Sequence, residues 1–338
     1  MRTLTYAQAI REAHAQLLAR DHRVFVIGQG LWSPWYAGSS LENLDKEFGR
    51  DRIIDSPVAE NAVTGLAVGA ALAGMRPILF HPRMDFMVLG MDALINQAAN
   101  WSYLFGGQAG VPLVARAVIN RGGEQGAQHS QALHSFFLHV PGIKVVMPST
   151  PADAKGLLIA AVEDPNPVLY IDDRWLYEET GPVAEEMTCV PLGSAEVRRA
   201  GSDVTLIGIS YMAREAARAA VELEREGISA EMIDLRSLKP WDREKVIASV
   251  RKTGRAVVAD PGWRTGGASA EIAATIAQEA FDALRAPVER IALPDAPAPT
   301  CQQEEAVYYP LAHDIVLAAR RTLARKAMAE KAMKGARA

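Results

Sequence analysis

Glu60 is the residue of this chain best placed to do chemistry. It closes the run Asp55-Ser56-Pro57-Val58-Ala59-Glu60, where a short β-branched stretch gives way to a glycine- and alanine-rich helical pattern. A carboxylate in the first turn of a buried helix needs a partner, because its desolvation is costly. Taken alone, Glu60 also reads as a first-turn acid that complements the helix dipole. Phe86 passes for a core aromatic, and His129, in Gln128-His129-Ser130-Gln131, for a loop histidine. Asp164 and Asn166, in Glu163-Asp164-Pro165-Asn166-Pro167, read locally as a turn. Gly28-Gln29-Gly30-Leu31-Trp32-Ser33 half-matches a dinucleotide-binding loop, but Pro34 follows at once and Ser33 stands where the third glycine belongs, so a plain βα loop is the better reading. No Gly-x-x-x-x-Gly-Lys-Ser/Thr loop occurs. His129, His134 and His139 recur every five residues, a spacing that does not stack side chains on one helix face, so no metal site is expected there.

The elements that must hold these residues alternate strand and helix. Strands are expected at 23–27, 52–55, 77–80, 112–119, 144–147 and 168–171, with helices at 5–20, 60–74, 87–101 and 151–163. That order implies a parallel sheet covered by helices on both faces. A charged, proline-containing stretch at 176–194 reads as a linker. A second series follows, with strands at 203–208, 230–234, 255–259 and 288–292 and helices at 212–226, 242–252 and 268–284. A proline-rich loop (293–310) leads to a last helix at 311–323 and an Ala/Lys/Arg tail expected to fray over 324–338. The expected fold class is α/β, with two domains, 1–175 and 195–323, each a mainly parallel sheet flanked by helices. Gly65, Gly69 and Ala73 share one face of the helix after Glu60, which suits either a subunit interface or close packing on the domain's own sheet.

Composition narrows the class. The chain has 338 residues, 49% hydrophobic and 22% charged, which is globular. A net charge of −4 gives no reason to expect nucleic acid or an anionic membrane as partner. Two cysteines, Cys189 and Cys301, are too few for a disulfide framework and fit a reducing cytoplasm. Residues 1–18 read as an amphipathic helix rather than a signal peptide, and the longest apolar run, Ala62 to Met75, is shorter than a bilayer crossing.

The joint order of these features resembles the beta subunit of the thiamine-diphosphate-dependent component of 2-oxo acid dehydrogenase complexes (pyruvate, branched-chain or acetoin type), within the transketolase superfamily. The resemblance is carried by Arg52-Ile53-Ile54-Asp55-Ser56-Pro57-Val58-Ala59-Glu60, Gly65-Leu66-Ala67-Val68-Gly69-Ala70-Ala71, Ala127-Gln128-His129-Ser130-Gln131 and Pro141-Gly142-Ile143-Lys144-Val145-Val146. It continues through Pro151-Ala152-Asp153-Ala154-Lys155-Gly156-Leu157, Ile233-Asp234-Leu235-Arg236-Ser237-Leu238, Lys252-Thr253-Gly254-Arg255 and Gly266-Gly267-Ala268-Ser269-Ala270-Glu271-Ile272. It implies a pyrimidine-binding domain followed by a transketolase C-terminal domain. By the same resemblance Glu60 hydrogen-bonds the cofactor's aminopyrimidine, favouring the tautomer whose exocyclic amine can accept a proton. Phe86 stacks on that ring, Val58 also contacts the cofactor, and His129 faces the substrate and the acyl acceptor. Leu113, Ala161, Asp164 and Asn166 match positions that hold a structural potassium ion.

The Gly-Asp-Gly start of a diphosphate and magnesium site is missing, so the resemblance implies half an active site. An alpha subunit would hold the magnesium and complete a heterotetramer, with a lipoyl acyltransferase as a possible further partner and a small 2-oxo acid as substrate. The chain departs from the family at Gln29, where an acid is usual, and at Phe80–Asp85, which brings His81 and Arg83 near the cofactor pocket. Two other readings share the fold: half of a split transketolase moving two-carbon units between sugars, and a non-catalytic scaffold.

Overall fold

A computed structural model describes residues 2–33 and 36–335, with side chains as far as 324. In chain order the elements are β1 (Arg2–Thr5), α1 (Tyr6–Arg20), β2 (Val24–Gly28), α2 (Leu44–Phe48), β3 (Ile53–Asp55), α3 (Glu60–Leu72), β4 (Arg76–His81), α4 (Met84–Met87) and α5 (Asn100–Leu104). There follow β5 (Val114–Ile119), α6 (His134–Leu138), β6 (Lys144–Val146), α7 (Pro151–Glu163), β7 (Val168–Asp173), β8 (Thr180–Val183) and β9 (Glu196–Arg199). The rest are β10 (Val204–Gly208), α8 (Tyr211–Arg225), β11 (Ala230–Asp234), β12 (Ser237–Lys239), α9 (Arg243–Thr253), β13 (Ala256–Trp263), α10 (Ala268–Glu279), β14 (Glu289–Leu293), α11 (Gln302–Tyr308) and α12 (Ala312–Gly335).

The chain forms two compact units, one of residues 1–193 with 237–240, the other of 194–236 with 241–338. The first is built on a seven-stranded sheet in the order β12-β6-β7-β5-β4-β2-β3, parallel except where β12 runs against β6. Strands β2, β5 and β7 are buried along their whole length, as a sheet covered on both faces requires. Helix α1 starts at a capping box: Thr5 Oγ1 accepts from Gln8 N at 3.1 Å, and Gln8 Oε1 accepts from Thr5 N at 2.9 Å. Helix α7 begins with Thr150 as cap and Pro151 in its first turn, at the expected start.

The second unit has a five-stranded sheet, β14-β13-β10-β11-β9, parallel apart from β9. Helices α8, α9, α10 and α12 pack around it.

Several expectations need correction. The helix expected over 87–101 is broken into α4, a 3-10 turn at Val88–Gly90, a π-helical stretch at Ala93–Ala99, and α5. Gly90, in that 3-10 turn, lies so close to α3 that a Cβ there would sit 2.4 Å from Thr64 Oγ1. The face of α3 that carries Gly65 and Gly69 is open: Val63, Thr64, Ala67, Val68 and Ala71 are buried, while a Cβ at either glycine would meet nothing within 4 Å. Within 176–194, Thr180–Val183 pairs antiparallel with β1, an edge pair in which Pro182 is tolerated. The helix expected over 268–284 ends at Glu279, and the loop of 293–310 contains α11. Helix α12 continues to Gly335, as its alanine- and lysine-rich sequence favours, and 336–338 lie outside the described residues. No helix of the described residues is long and apolar enough to cross a membrane.

Candidate active site

The carboxyl ends of β3, β2 and β4 lie side by side, Gly28 pairing with Asp55 on one side and Phe80 on the other. The loops that leave them therefore meet at one edge of the sheet, the usual place for a ligand in a parallel α/β layer. Gly28 is what lets β2 and β4 approach here, since a Cβ would fall 2.2 Å from the Phe80 carbonyl oxygen.

Asp55 fixes the loop after β2. Its Oδ1 accepts from Gly30 N at 2.7 Å and from Leu31 N at 3.3 Å. Gln29, held between these anchors, donates from Nε2 to Glu60 Oε1 at 2.9 Å. Glu60 is only 7% exposed and opens α3, where no side chain caps the helix. Its carboxylate thus has a neutral donor and the free amides of the first turn, and no cation forms an ion pair with it among the described residues. His81, at the end of β4, does not supply one. Burial lowers its pKa to about 4 against the opposing pull of Glu60, so the ring is neutral near pH 7, and its Nε2 is buried without a hydrogen-bond partner.

Gln29, Tyr36, Val58, Glu60, His81, Pro82, Arg83, Phe86 and His129 enclose a pocket of about 230 Å³. Seven residues singled out in the sequence, Gln29, Val58, Glu60, His81, Arg83, Phe86 and His129, therefore line one cavity. Phe86 and His129 meet edge to face, centroids 5.3 Å apart and planes at 83°. Val58 is 79% exposed at the rim.

Asp85 was not visible as a site residue from sequence. Buried beside Phe86, it accepts from Gln131 N through Oδ1 at 3.0 Å and so ties the Gln128–Gln131 segment that carries His129 to α4. Burial raises its pKa, and the Gln131 hydrogen bonds pull the other way. Gln29 as the partner of Glu60 was equally hidden, since thirty-one positions separate them.

Leu113, Ala161, Asp164 and Asn166 gather elsewhere, at the end of α7 and just before β5 and β7, hence at the opposite edge of the sheet from the pocket. Two of the oxygens there accept hydrogen bonds. Leu113 O accepts from Val168 N at 2.9 Å, and Asp164 Oδ1 accepts from Lys144 Nζ at 2.8 Å and Asn166 N at 2.9 Å. Lys144 and Arg76, whose Nη1 is 3.4 Å from Asp164 O, supply positive charge to this cluster from the chain itself. Among the described residues no group of three or more His, Cys, Asp or Glu could hold a metal ion.

The family model for the transketolase pyrimidine-binding domain matches residues 2–179, and that for the transketolase C-terminal domain matches 193–315. The chain is 40% identical over 322 residues to the pyruvate dehydrogenase E1 component subunit beta-1, mitochondrial, of Arabidopsis thaliana, covering 94% of this chain and 89% of that one. The chain belongs to the beta-subunit family of 2-oxo acid dehydrogenase E1 components. A second E1-type relative, the acetoin:2,6-dichlorophenolindophenol oxidoreductase subunit beta of Cupriavidus necator, is 40% identical over 335 residues, covering 95% of this chain and 98% of its own. The pyruvate dehydrogenase E1 component subunit beta of Rhizobium meliloti is 39% identical over 317 residues, covering 94% of this chain and 69% of its own. Among solved structures, a split-gene transketolase described as an inactive beta4 tetramer superposes with a TM-score of 0.79 at 22% identity, covering 96% of this chain and 99% of that one, a likeness of fold.

Proposed function

We propose that this chain is the beta subunit of a thiamine-diphosphate-dependent 2-oxo acid dehydrogenase component, with an active site completed by an alpha subunit in a heterotetramer. The observation that carries the reading is the buried Glu60 carboxylate in a pocket with an aromatic face, Phe86, on one wall and an imidazole, His129, against it. This combination fits an aminopyrimidine: a flat apolar surface for the ring and one carboxyl for a ring nitrogen. When bound, thiamine diphosphate supplies the electron sink that decarboxylation of a 2-oxo acid requires.

The chain's own residues would do the rest. Glu60 exchanges a proton at the ring nitrogen, oriented by Gln29. Phe86 and Val58 hold the ring and exclude water. His129, placed through Asp85 and Gln131, presents its imidazole to the substrate and to the acyl acceptor, lipoamide on an acyltransferase component. The alpha subunit would bring the diphosphate-binding residues and magnesium. Leu113, Ala161, Asp164 and Asn166 would hold a structural potassium ion largely through carbonyl oxygens, and no catalytic step is assigned to it. The pyrimidine-binding role falls to residues 1–175, with 176–194 as linker, 195–323 as the C-terminal domain and a basic tail beyond. A cytoplasmic location belongs to the same proposal and rests on two unpaired cysteines. The test is reconstitution with the alpha chain and assay of a panel of 2-oxo acids with lipoamide. Thiamine-diphosphate-dependent acyl transfer is expected; turnover of ketose phosphates alone would overturn the reading in favour of a split transketolase.

A further inference from the structure

Arg83 lines the Glu60 pocket, and among the described residues no acid pairs with its charge. The guanidinium is half-buried, donates from Nη1 to Pro82 O at 2.9 Å, and lies over the Tyr36 ring at 5.9 Å. With its amide turned oxygen-first, Asn120 accepts from Arg83 Nη1 at 2.8 Å and Nη2 at 3.1 Å. Asp85, the acid whose field reaches Arg83, gives its Oδ1 to Gln131 N instead, and no carboxylate pairs with Arg83 among the described residues. A second guanidinium, Arg174, follows β7 on the same edge of the sheet and likewise has no carboxylate partner among the described residues. Burial, and next among the lowering effects the charge of Arg174, push the pKa of Arg83 below its ordinary range. A half-buried guanidinium fixed by neutral acceptors, within the field of another cation, is suited to receive an anion. The neutral His81 beside it cannot provide that charge.

The anion is not the carboxylate that leaves. That group departs as uncharged carbon dioxide, so a guanidinium fixed on it would stabilise the ground state more than the transition state and slow the step. We propose that Arg83 receives a second anionic group at the far end of the substrate, making the preferred substrate a 2-oxo acid with a distal carboxylate or phosphate. This rests on the 2-oxo acid reading above.

The experiment compares kcat/KM of the reconstituted alpha–beta complex for 2-oxoglutarate, phosphohydroxypyruvate and the neutral-tailed 2-oxobutyrate, in wild type, Arg83→Met and Arg83→Lys. Wild type should prefer one of the doubly charged substrates by at least about tenfold, and which of the two identifies the distal group. Arg83→Met should cut that preference by about 10- to 100-fold, with part of it kept in Arg83→Lys. Competitive inhibition by glutarate relative to butyrate should weaken in parallel. A wild-type preference for 2-oxobutyrate, or an Arg83→Met variant in which the ratio is unchanged, overturns the assignment while leaving the 2-oxo acid reading intact. Absence of turnover with every 2-oxo acid overturns the underlying reading itself.

Discussion

The side-chain amide of Gln29 donates to the buried carboxylate of Glu60, Nε2 to Oε1, at 2.9 Å. An uncharged donor orients Glu60 without sharing a proton with it. Gln29→Glu would set two carboxylates within hydrogen-bonding distance, where one must retain a proton. Proton uptake by the pair should then move to higher pH by about one unit or more, seen as a shift of the acid limb of the kcat/KM profile. A profile superimposable on wild type would show that the two positions do not couple.

Two buried neutral histidines make stability pH-dependent. His81 is held at about 4 by burial, and His14 at about 3 by burial and then by the charge of Arg116, from an ordinary value of 6.5. The unfolded chain therefore binds more protons below pH 6.5, and stability falls as pH is lowered from there towards 4. Each histidine contributes a slope of about 1.4 kcal/mol per pH unit. His81→Phe should roughly halve the part of the slope that these two residues supply, measured by urea unfolding between pH 6.5 and 5. Parallel pH dependences in wild type and variant would remove His81 from the account.

Arg116 and Asp172 form an ion pair, Nη2 to Oδ2 2.8 Å, with both side chains at 0% exposure. Arg116 Nη2 also donates to Ser40 Oγ at 2.7 Å, anchoring the loop that carries Tyr36 to the pocket. Removing one partner leaves a buried charge unanswered. Asp172→Ala should cost about 3–5 kcal/mol, a loss visible in the thermal midpoint. A drop under about 1 kcal/mol would mean that water or a rearranged Tyr177 replaces the carboxylate.

The open face of α3 separates folding from assembly. Since a Cβ at Gly65 or Gly69 meets nothing within 4 Å, alanine at either should stabilise the isolated chain by up to about 1 kcal/mol. Gly69→Phe should leave the chain folded yet weaken its association with the alpha partner in sedimentation. Unchanged association would place the partner on another face.

Regular periodicity made the sheet legible. The βα alternation identified its parallel strands, and the expected range of α7, 151–163, agrees with the structure at both ends. Where local signal was weak or long-range contact decided, sequence was silent. The β1–β8 pair joins residues about 180 positions apart through a strand containing proline, and the π-helical stretch at Ala93–Ala99 interrupts what reads from sequence as one continuous helix. At the site, Glu60, Phe86 and His129 were recognisable by type and order. The roles of Gln29 and Asp85 depend on hydrogen bonds spanning 31 and 46 positions, which periodicity does not reveal.

The most direct test of the account is Glu60→Gln in the complex reconstituted with its alpha subunit, measuring thiamine diphosphate binding and 2-oxo acid turnover on the same preparation. The amide is nearly isosteric but cannot exchange a proton with a ring nitrogen. Binding should persist within about tenfold while turnover falls by about 100-fold or more. Turnover near the wild-type rate, with the cofactor bound, would contradict the role assigned to Glu60.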